Sequence, residues 1–446
     1  MRTLKITLLL LACITFCRAQ QKFTKEQLCE DANTLYATIL DVHPYMFTNI
    51  SKKEFEKQLK DAKGMLKDSM SIFDFYKIFT PLVAKIEDGH TEIHYPINFA
   101  IQQSIKVFPY SFTINKKDTT LTVQGGFEDA KIRNDSRILF INGISAKELI
   151  TEASSMLSGE AYHFKMERLN FLLSPLLYFI LLSDEFNVEY LYNGKKETSV
   201  IEAKLLSEYI EVFLAPLNKK TSYFSSIDKK SDTAILSINS FAMYENEEKK
   251  EYRNFLDSLF NEIMEKQINN LVIDIRMNGG GLEELVWDLF QYISPVPFQT
   301  KGPSINKISE TVKKEYNLEE PTGIHLIGTE GLIPLRENPY RYSGNSYLLT
   351  SNFTFSSASS LAWAFQYFKM GKIIGEETGG LIVSYGNVFD TTLPNTNLPY
   401  GISRWKYYGY GATEDQKHGT IPEIIVSAEK AMDTAIEIIT NNIMLR

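Results

Sequence analysis

The chain has 446 residues, 44% hydrophobic and 12% aromatic, enough for two or three domains around a sizeable core and too apolar for a disordered chain. Its 55 acidic residues outweigh 47 basic ones, and the net charge of −8 excludes a nucleic-acid binder with a basic face.

The first element is a predicted secretory signal over residues 1–19. Arg2 and Lys5 form a positive start, Ile6 to Phe16 an apolar run, and Cys17-Arg18-Ala19 the cleavage site. The run is too short to span a bilayer as a retained helix. Cleavage after Ala19 removes Arg2, Lys5 and Arg18 and takes the net charge to −11. Leu10-Leu11-Ala12-Cys13 offers a lipoprotein-like alternative with Cys13 lipidated, which Leu11 fits poorly. The chain is therefore expected to be exported: periplasmic or envelope-associated, secreted, or lipid-anchored. Cys29 alone survives standard cleavage, so no intrachain disulfide is expected; in its helical context it reads as a packed apolar residue. Leu172 to Leu182 is apolar but short and holds Ser174 and Pro175, so no later membrane span is predicted.

Three helical stripes follow: Leu28, Ala32, Leu35 and Ile39; Phe55, Leu59, Ala62 and Leu66; Phe75, Phe79, Leu82 and Ile86. The third is predicted to end at Asp88-Gly89, with glycine supplying the left-handed turn and His90 just beyond. From Asn98 the pattern turns to short strands. Arg137 to Ile141 leads into the turn Asn142-Gly143. Tyr162 to Leu181 reads as a helix interrupted at Pro175. Phe186 to Tyr192 and Thr198 to Ile201 read as a hairpin about Asn193-Gly194. Lys219 to Asp232 is polar and reads as a linker. Strands and helices then alternate: Ala234 to Ile238, the helix carrying Tyr252 to Ile263, Leu271 to Ile275, and the helix LEELVWDLF. Such alternation implies a sheet covered by helices. The predicted division is 20–97 helical, 98–205 mostly β with a helical insertion, and 220–446 sheet and helix.

Three segments hold residue types suited to chemistry. In Tyr347 to Gly380 a buried strand, a serine-rich turn, an amphipathic helix and a second strand succeed one another. A serine at the first turn of such a helix lies beside unpaired N–H groups, which favour a developing oxyanion; Ser356 or Ser357 could equally cap the helix. LVIDIRMNGGG, Leu271 to Gly281, is a strand opening into three glycines that let backbone approach a ligand closely. It lacks the lysine and hydroxyl of a phosphate loop, having Leu282 and Glu283 instead. EDGHT, Glu87 to Thr91, holds His90 just past a helix end, where one ring nitrogen could face outward or the residue could be merely structural. His94 makes HTEIH superficially metal-like, but no further Cys or His lies at ligand spacing.

Together DIRMNGGG, TFSSASSLA, KIIGEETGG and HGTIPEI resemble the tail-specific (C-terminal processing) and tricorn-type serine peptidases, in that order and over about Ser225 to Val426. DGHT looks like the segment that supplies the histidine in the tricorn-like branch, and SRILFINGISAKEL resembles the carboxylate-proximal half of a PDZ domain. The resemblance implies a multi-domain α/β (α+β) chain: an N-terminal helical region, a PDZ-like β domain, and a crotonase-like serine peptidase core of ββα type. It implies Ser356 as nucleophile, from its register with Gly375, and Ser357 and Gly281, with Gly280 beside it, as the oxyanion hole. Twenty-five residues after Ser356, where the tail-specific branch has its lysine, stands Leu381. His90 is therefore the expected base, oriented by Glu414 or alternatively Asp415; His418 reads as structural. Ser359 stands where many relatives have a glutamate. The expected function is an exported serine endopeptidase without metal or organic cofactor, acting on peptides or proteins captured by strand addition to the PDZ-like part. The alternatives are a non-catalytic binding protein on the same fold, for which a photoreceptor retinoid-binding relative is precedent, and a peptide-binding module.

Overall fold

The computed structural model describes residues 21–215 and 221–444. The signal reading of residues 1–19 and the Cys13 alternative lie outside them. Three N-terminal helices, Lys25–Val42, Lys52–Gly64 and Ile72–Val83, begin on the hydroxyl caps Thr24, Ser51 and Ser71. The predicted apolar stripes are their buried faces. After a 3₁₀ turn, Ala84–Ile86, the left-handed position falls on Glu87 (φ 57°), not on Gly89 as the sequence led us to expect. Gly89 is needed for space instead: a Cβ there would lie 2.8 Å from Phe355 Cζ and 2.9 Å from Glu160 Oε2.

An antiparallel sheet runs Tyr110–Ile114, Leu121–Gly126, Arg137–Ile141, Glu185–Tyr192 and Lys195–Glu202. Asn193 and Gly194, at φ 49° and 75°, make the tight turn their types predict. Helix Tyr162–Leu181 passes through Pro175 without the expected break. Packing outweighs the lost backbone bond, because Leu169, Leu173, Leu176 and Leu177 are all buried. The helix also closes the free edge of Tyr110–Ile114: Asn170 Oδ1 accepts from Ile114 N–H at 2.9 Å, and Ser174 Oγ donates to the Tyr110 carbonyl at 2.5 Å. Two backbone groups of that edge strand are thereby taken by side chains of the helix.

The central sheet orders Tyr223–Asp228, Thr233–Ile238, Asn270–Asp274, Asn345–Thr350, Lys372–Gly375 and Ile424–Ile425. All neighbours are parallel except the first pair. Tyr223–Asp228, within the segment read as a linker, is thus an edge strand; Ser225, Ser226 and Asp228 dilute its apolar residues, which hid it. The helices Asn246–Glu265, Glu283–Ile293 and Ser357–Tyr367 share one apolar core with this sheet, and Ala428–Met444 packs across strands Asn345–Thr350 and Lys372–Gly375.

A third sheet joins the two ends of the chain. Its longest strand, Pro399–Gly409, pairs with Val383–Thr392 and Lys301–Ile308, and also with Glu92–Ile93, through Glu92↔Gly401 and Ile93↔Tyr400. Buried Asp31 reinforces the junction by accepting from Asn395 N–H and from Thr396 N–H and Oγ1 at 2.6–2.9 Å. This pairing carries His90, two residues before Glu92, onto the C-terminal half. Among the described residues no helix is long and apolar enough to cross a membrane.

Candidate active site

Ser356 occupies the turn between strand Asn345–Thr350 and helix Ser357–Tyr367, at φ 54° and ψ −128°. A β-carbon residue is strained there by about 1–3 kcal/mol. Its side chain makes no capping bond, so capping does not account for the serine. Its Oγ instead lies 3.2 Å from His90 Nε2. Ser359, one turn into the helix, donates to the Thr354 carbonyl at 2.9 Å and braces the turn from behind.

The glycine loop lies against this turn. Gly280 (φ 105°) has no room for a side chain: a Cβ would meet Ser356 Cβ at 2.6 Å and Phe355 O at 2.9 Å. At Gly281 (φ 138°) a Cβ would overlap the Phe241 backbone at 2.0 Å. The N–H groups of Gly281 and Ser357 have no acceptor among the described residues. That of Gly280 is taken by Asn278 Oδ1 at 2.9 Å, so Gly280 supplies close approach, not a free donor as the sequence reading allowed. Asn278 is fully buried and was read only as part of the loop. Its Nδ2 donates to the Ile238 carbonyl at 3.1 Å, and its own carbonyl accepts from Phe355 N–H at 3.1 Å. One residue thus ties loop and sheet together through its side chain and the serine turn through its backbone carbonyl. Asn278→Ala would orphan the buried Gly280 N–H and the Ile238 carbonyl, at a cost of about 1–3 kcal/mol. Thermal melts should show that loss, and peptide turnover should fall by more than the melt explains.

His90 is held from its backbone: its N–H donates to Asp88 Oδ1 at 2.9 Å. The fully buried Asp88 is engaged on its other oxygen by His43 Nε2 at 3.2 Å and Thr91 Oγ1 at 2.5 Å. Burial alone would raise the Asp88 pKa, but the hydrogen bond and charge of His43 hold it at about 2. The His90 ring stacks on Phe355 at 4.6 Å, and Phe355 stacks on Phe164 at 4.2 Å, which fixes the imidazole plane. Burial lowers the His90 pKa against the opposing pull of Asp88. Nδ1 is buried without a hydrogen-bond partner; Asp88 Oδ1 lies 3.9 Å from it.

Glu414 is not at the imidazole. Both its oxygens accept from Lys406 Nζ at 2.7 Å, and one accepts from Tyr408 O–H at 2.5 Å. The cations on either side, Lys406 and Lys417, draw the carboxylate into their own ion pairs. Asp415 is equally occupied, accepting from Thr413 Oγ1 at 2.5 Å. His418 Nδ1 meets the Gly419 carbonyl at 2.7 Å, and His94 turns to Glu92 and Asp390. Besides Asp88, the acid that lies beside His90 is Glu160, which no sequence signal singled out. A ring nitrogen of His90 and carboxyl oxygens of Asp88 and Glu160 lie within 4.8 Å of one another.

These residues open onto a cleft of about 740 Å³, lined also by Ser240, Tyr244, Lys301 and Tyr407 and by the strand segment Ser384 to Val388. Residues 232–426 match the model of Peptidase family S41. Solved structures with the same overall fold include mature CPAF, 11% identical over 93% of this chain and 97% of that one, with a TM-score of 0.65. Mature CPAF complexed with lactacystin is similar at 12% identity, covering 94% of this chain and 98% of that one, also at 0.65.

Proposed function

Because residues 232–426 match Peptidase family S41, we propose that the chain is an exported serine endopeptidase with Ser356 as nucleophile and His90 as base. The observation that carries this reading is the 3.2 Å contact between His90 Nε2 and a Ser356 Oγ that caps nothing. Ser356 Oγ attacks the scissile carbonyl as its proton passes to His90 Nε2. The carbonyl oxygen, now negative, is met by the N–H groups of Gly281 and Ser357, each such donor contributing about 3 kcal/mol to the barrier reduction. His90 then returns the proton to the leaving amine, and water repeats the sequence on the acyl-enzyme. The strained serine turn supports the role, since it presents Oγ at the helix N-terminus at a standing cost to stability.

The base must be neutral before attack. Since burial lowers the His90 pKa below its ordinary 6.5, the imidazole is free at neutral pH. The acid limb of kcat/KM is accordingly expected below pH 6.5, with activity lost as pH falls through the lowered value. The absence of any acid limb below pH 6.5 on a peptide ester would place the base elsewhere.

The substrate class is a peptide or protein laid along the cleft, next to strand Val383–Thr392, whose free side borders Ser356 and His90. Export rests on the signal-like residues 1–19. The domain division at 20–97, 98–205 and 220–446 and the PDZ-like character of the middle part belong to the same reading. A peptide-library digest by the mature chain, read by mass spectrometry, tests it. New termini are expected; an intact library with folded protein that still retains peptides would favour the binding-protein alternative.

A further inference from the structure

With Glu414 held by Lys406, the base lacks the orienting carboxylate that the sequence reading assigned. The structure offers two acids beside it. Asp88 is saturated: one oxygen accepts from the His90 backbone N–H, the other from His43 and Thr91, and its closest approach to Nδ1 is 3.9 Å. Glu160 is the reverse. Both its carboxyl oxygens are shut off from solvent, and neither has a hydrogen-bond partner. His90 Nδ1 is also buried and unpartnered, and a ring nitrogen of His90 lies within 4.8 Å of a Glu160 carboxyl oxygen. A buried carboxyl and a buried ring nitrogen left bare side by side are costly for stability, and removing one costs less than keeping both. The chain also keeps Gly89 there, since a side chain would run into Glu160 Oε2 and the Phe355 ring.

We propose that Glu160 is the positioning residue of this site, taking the Nδ1–H of His90 on its carboxyl oxygen while Nε2 receives the Ser356 proton. The inference rests on the peptidase reading above. The proton account balances within the site. Ser356 Oγ–H gives its proton to Nε2, Nδ1 keeps its own while sharing it with Glu160, and the Nε2 proton leaves with the amine. A side-chain rotation of Glu160 closes the bond, so the site tightens as charge develops. Burial and the nearby Asp88 charge raise the Glu160 pKa to about 8, against slight lowering by Lys165 and by the backbone N–H groups of Glu160 and Gly89, which close no bond to it. His90, Asp88 with His43 behind it, Lys165 and Tyr385 are the titratable groups around this carboxyl. Above pH 8 the anion supports the imidazolium more strongly than the neutral acid does. A second rise in kcat/KM near pH 8, above the His90 limb, follows.

Glu160→Gln tests this without changing shape. In wild type, fluorophosphonate labelling of Ser356 and kcat/KM on a peptide ester should both rise again near pH 8. In E160Q that rise should be gone, so kcat above pH 8 should drop on the order of 10²–10⁴-fold against wild type, with KM little changed and a smaller difference at neutral pH. The melting temperature should hold or increase, because a buried unpaired acid has been removed. Wild-type stability should fall between about pH 4.5 and 8, where the folded state holds a proton on Glu160 that the unfolded state releases, and E160Q should lack that slope. Labelling of E160Q at the wild-type rate with an unchanged pH profile would overturn the proposal and leave the peptidase reading intact. A fall in both melting temperature and activity, with the second rise retained, would also overturn it, marking Glu160 as merely structural. Failure of wild type itself to label would instead remove the peptidase reading beneath it.

Discussion

Ser356→Ala is expected to lower peptide turnover by on the order of 10⁴-fold or more and to abolish fluorophosphonate labelling, with the fold unchanged. The basis is local. Oγ makes no structural bond besides that to His90, so deleting it removes chemistry and not scaffold. The strain at φ 54° stays with alanine and disappears with glycine. Ser356→Gly should therefore melt higher than Ser356→Ala, by about 1 kcal/mol or more, while both are equally inactive. A glycine variant less stable than the alanine variant would mean that the turn is not strained. Retained turnover in either variant would mean that another residue is the nucleophile.

His90→Ala is expected to cost about as much in kcat, since members of such a unit fail together, with KM nearly unchanged. The loop it leaves should hold its shape, because Asp88 remains bonded to His43 and Thr91. Added imidazole should restore part of the activity by entering the space over Phe355. His43→Ala gives the opposite signature. It strips a hydrogen bond from the buried Asp88 and should lower stability by about 1–3 kcal/mol, while the Ser356–His90 contact itself is untouched. Unchanged turnover in His90→Ala would remove this histidine from the mechanism.

The parts of this site that the sequence announced are those fixed by backbone geometry. Three glycines after a buried strand admit few conformations, and Gly280 and Gly281 adopt positive φ where no side chain fits. Ser356 was separable from Ser357 only through its register with Gly375, and the two strands bearing that register are paired neighbours. His90 was legible for a similar reason, being fixed at a helix end by Asp88 two residues earlier. What the sequence concealed depends on side chains meeting across long separations. Glu160 follows the helix Ala146–Ser155 in an unremarkable SGEAY segment, and nothing local tells a buried acid from an exposed one. Glu414 failed for the complementary reason: its spacing suited the role, but Lys406, on the preceding strand, is closer. The edge strand Tyr223–Asp228 and the unbroken passage through Pro175 share that origin, since partners distant in sequence override local preference.

The central claim is that Ser356 is an activated nucleophile with its base at hand. Mass-spectrometric mapping of a fluorophosphonate adduct on the wild-type mature chain tests it most directly. A single adduct on the peptide containing Ser356, absent after His90→Ala over the same interval, is the result this account predicts. An adduct on another serine, or none on protein that melts cooperatively, would contradict it.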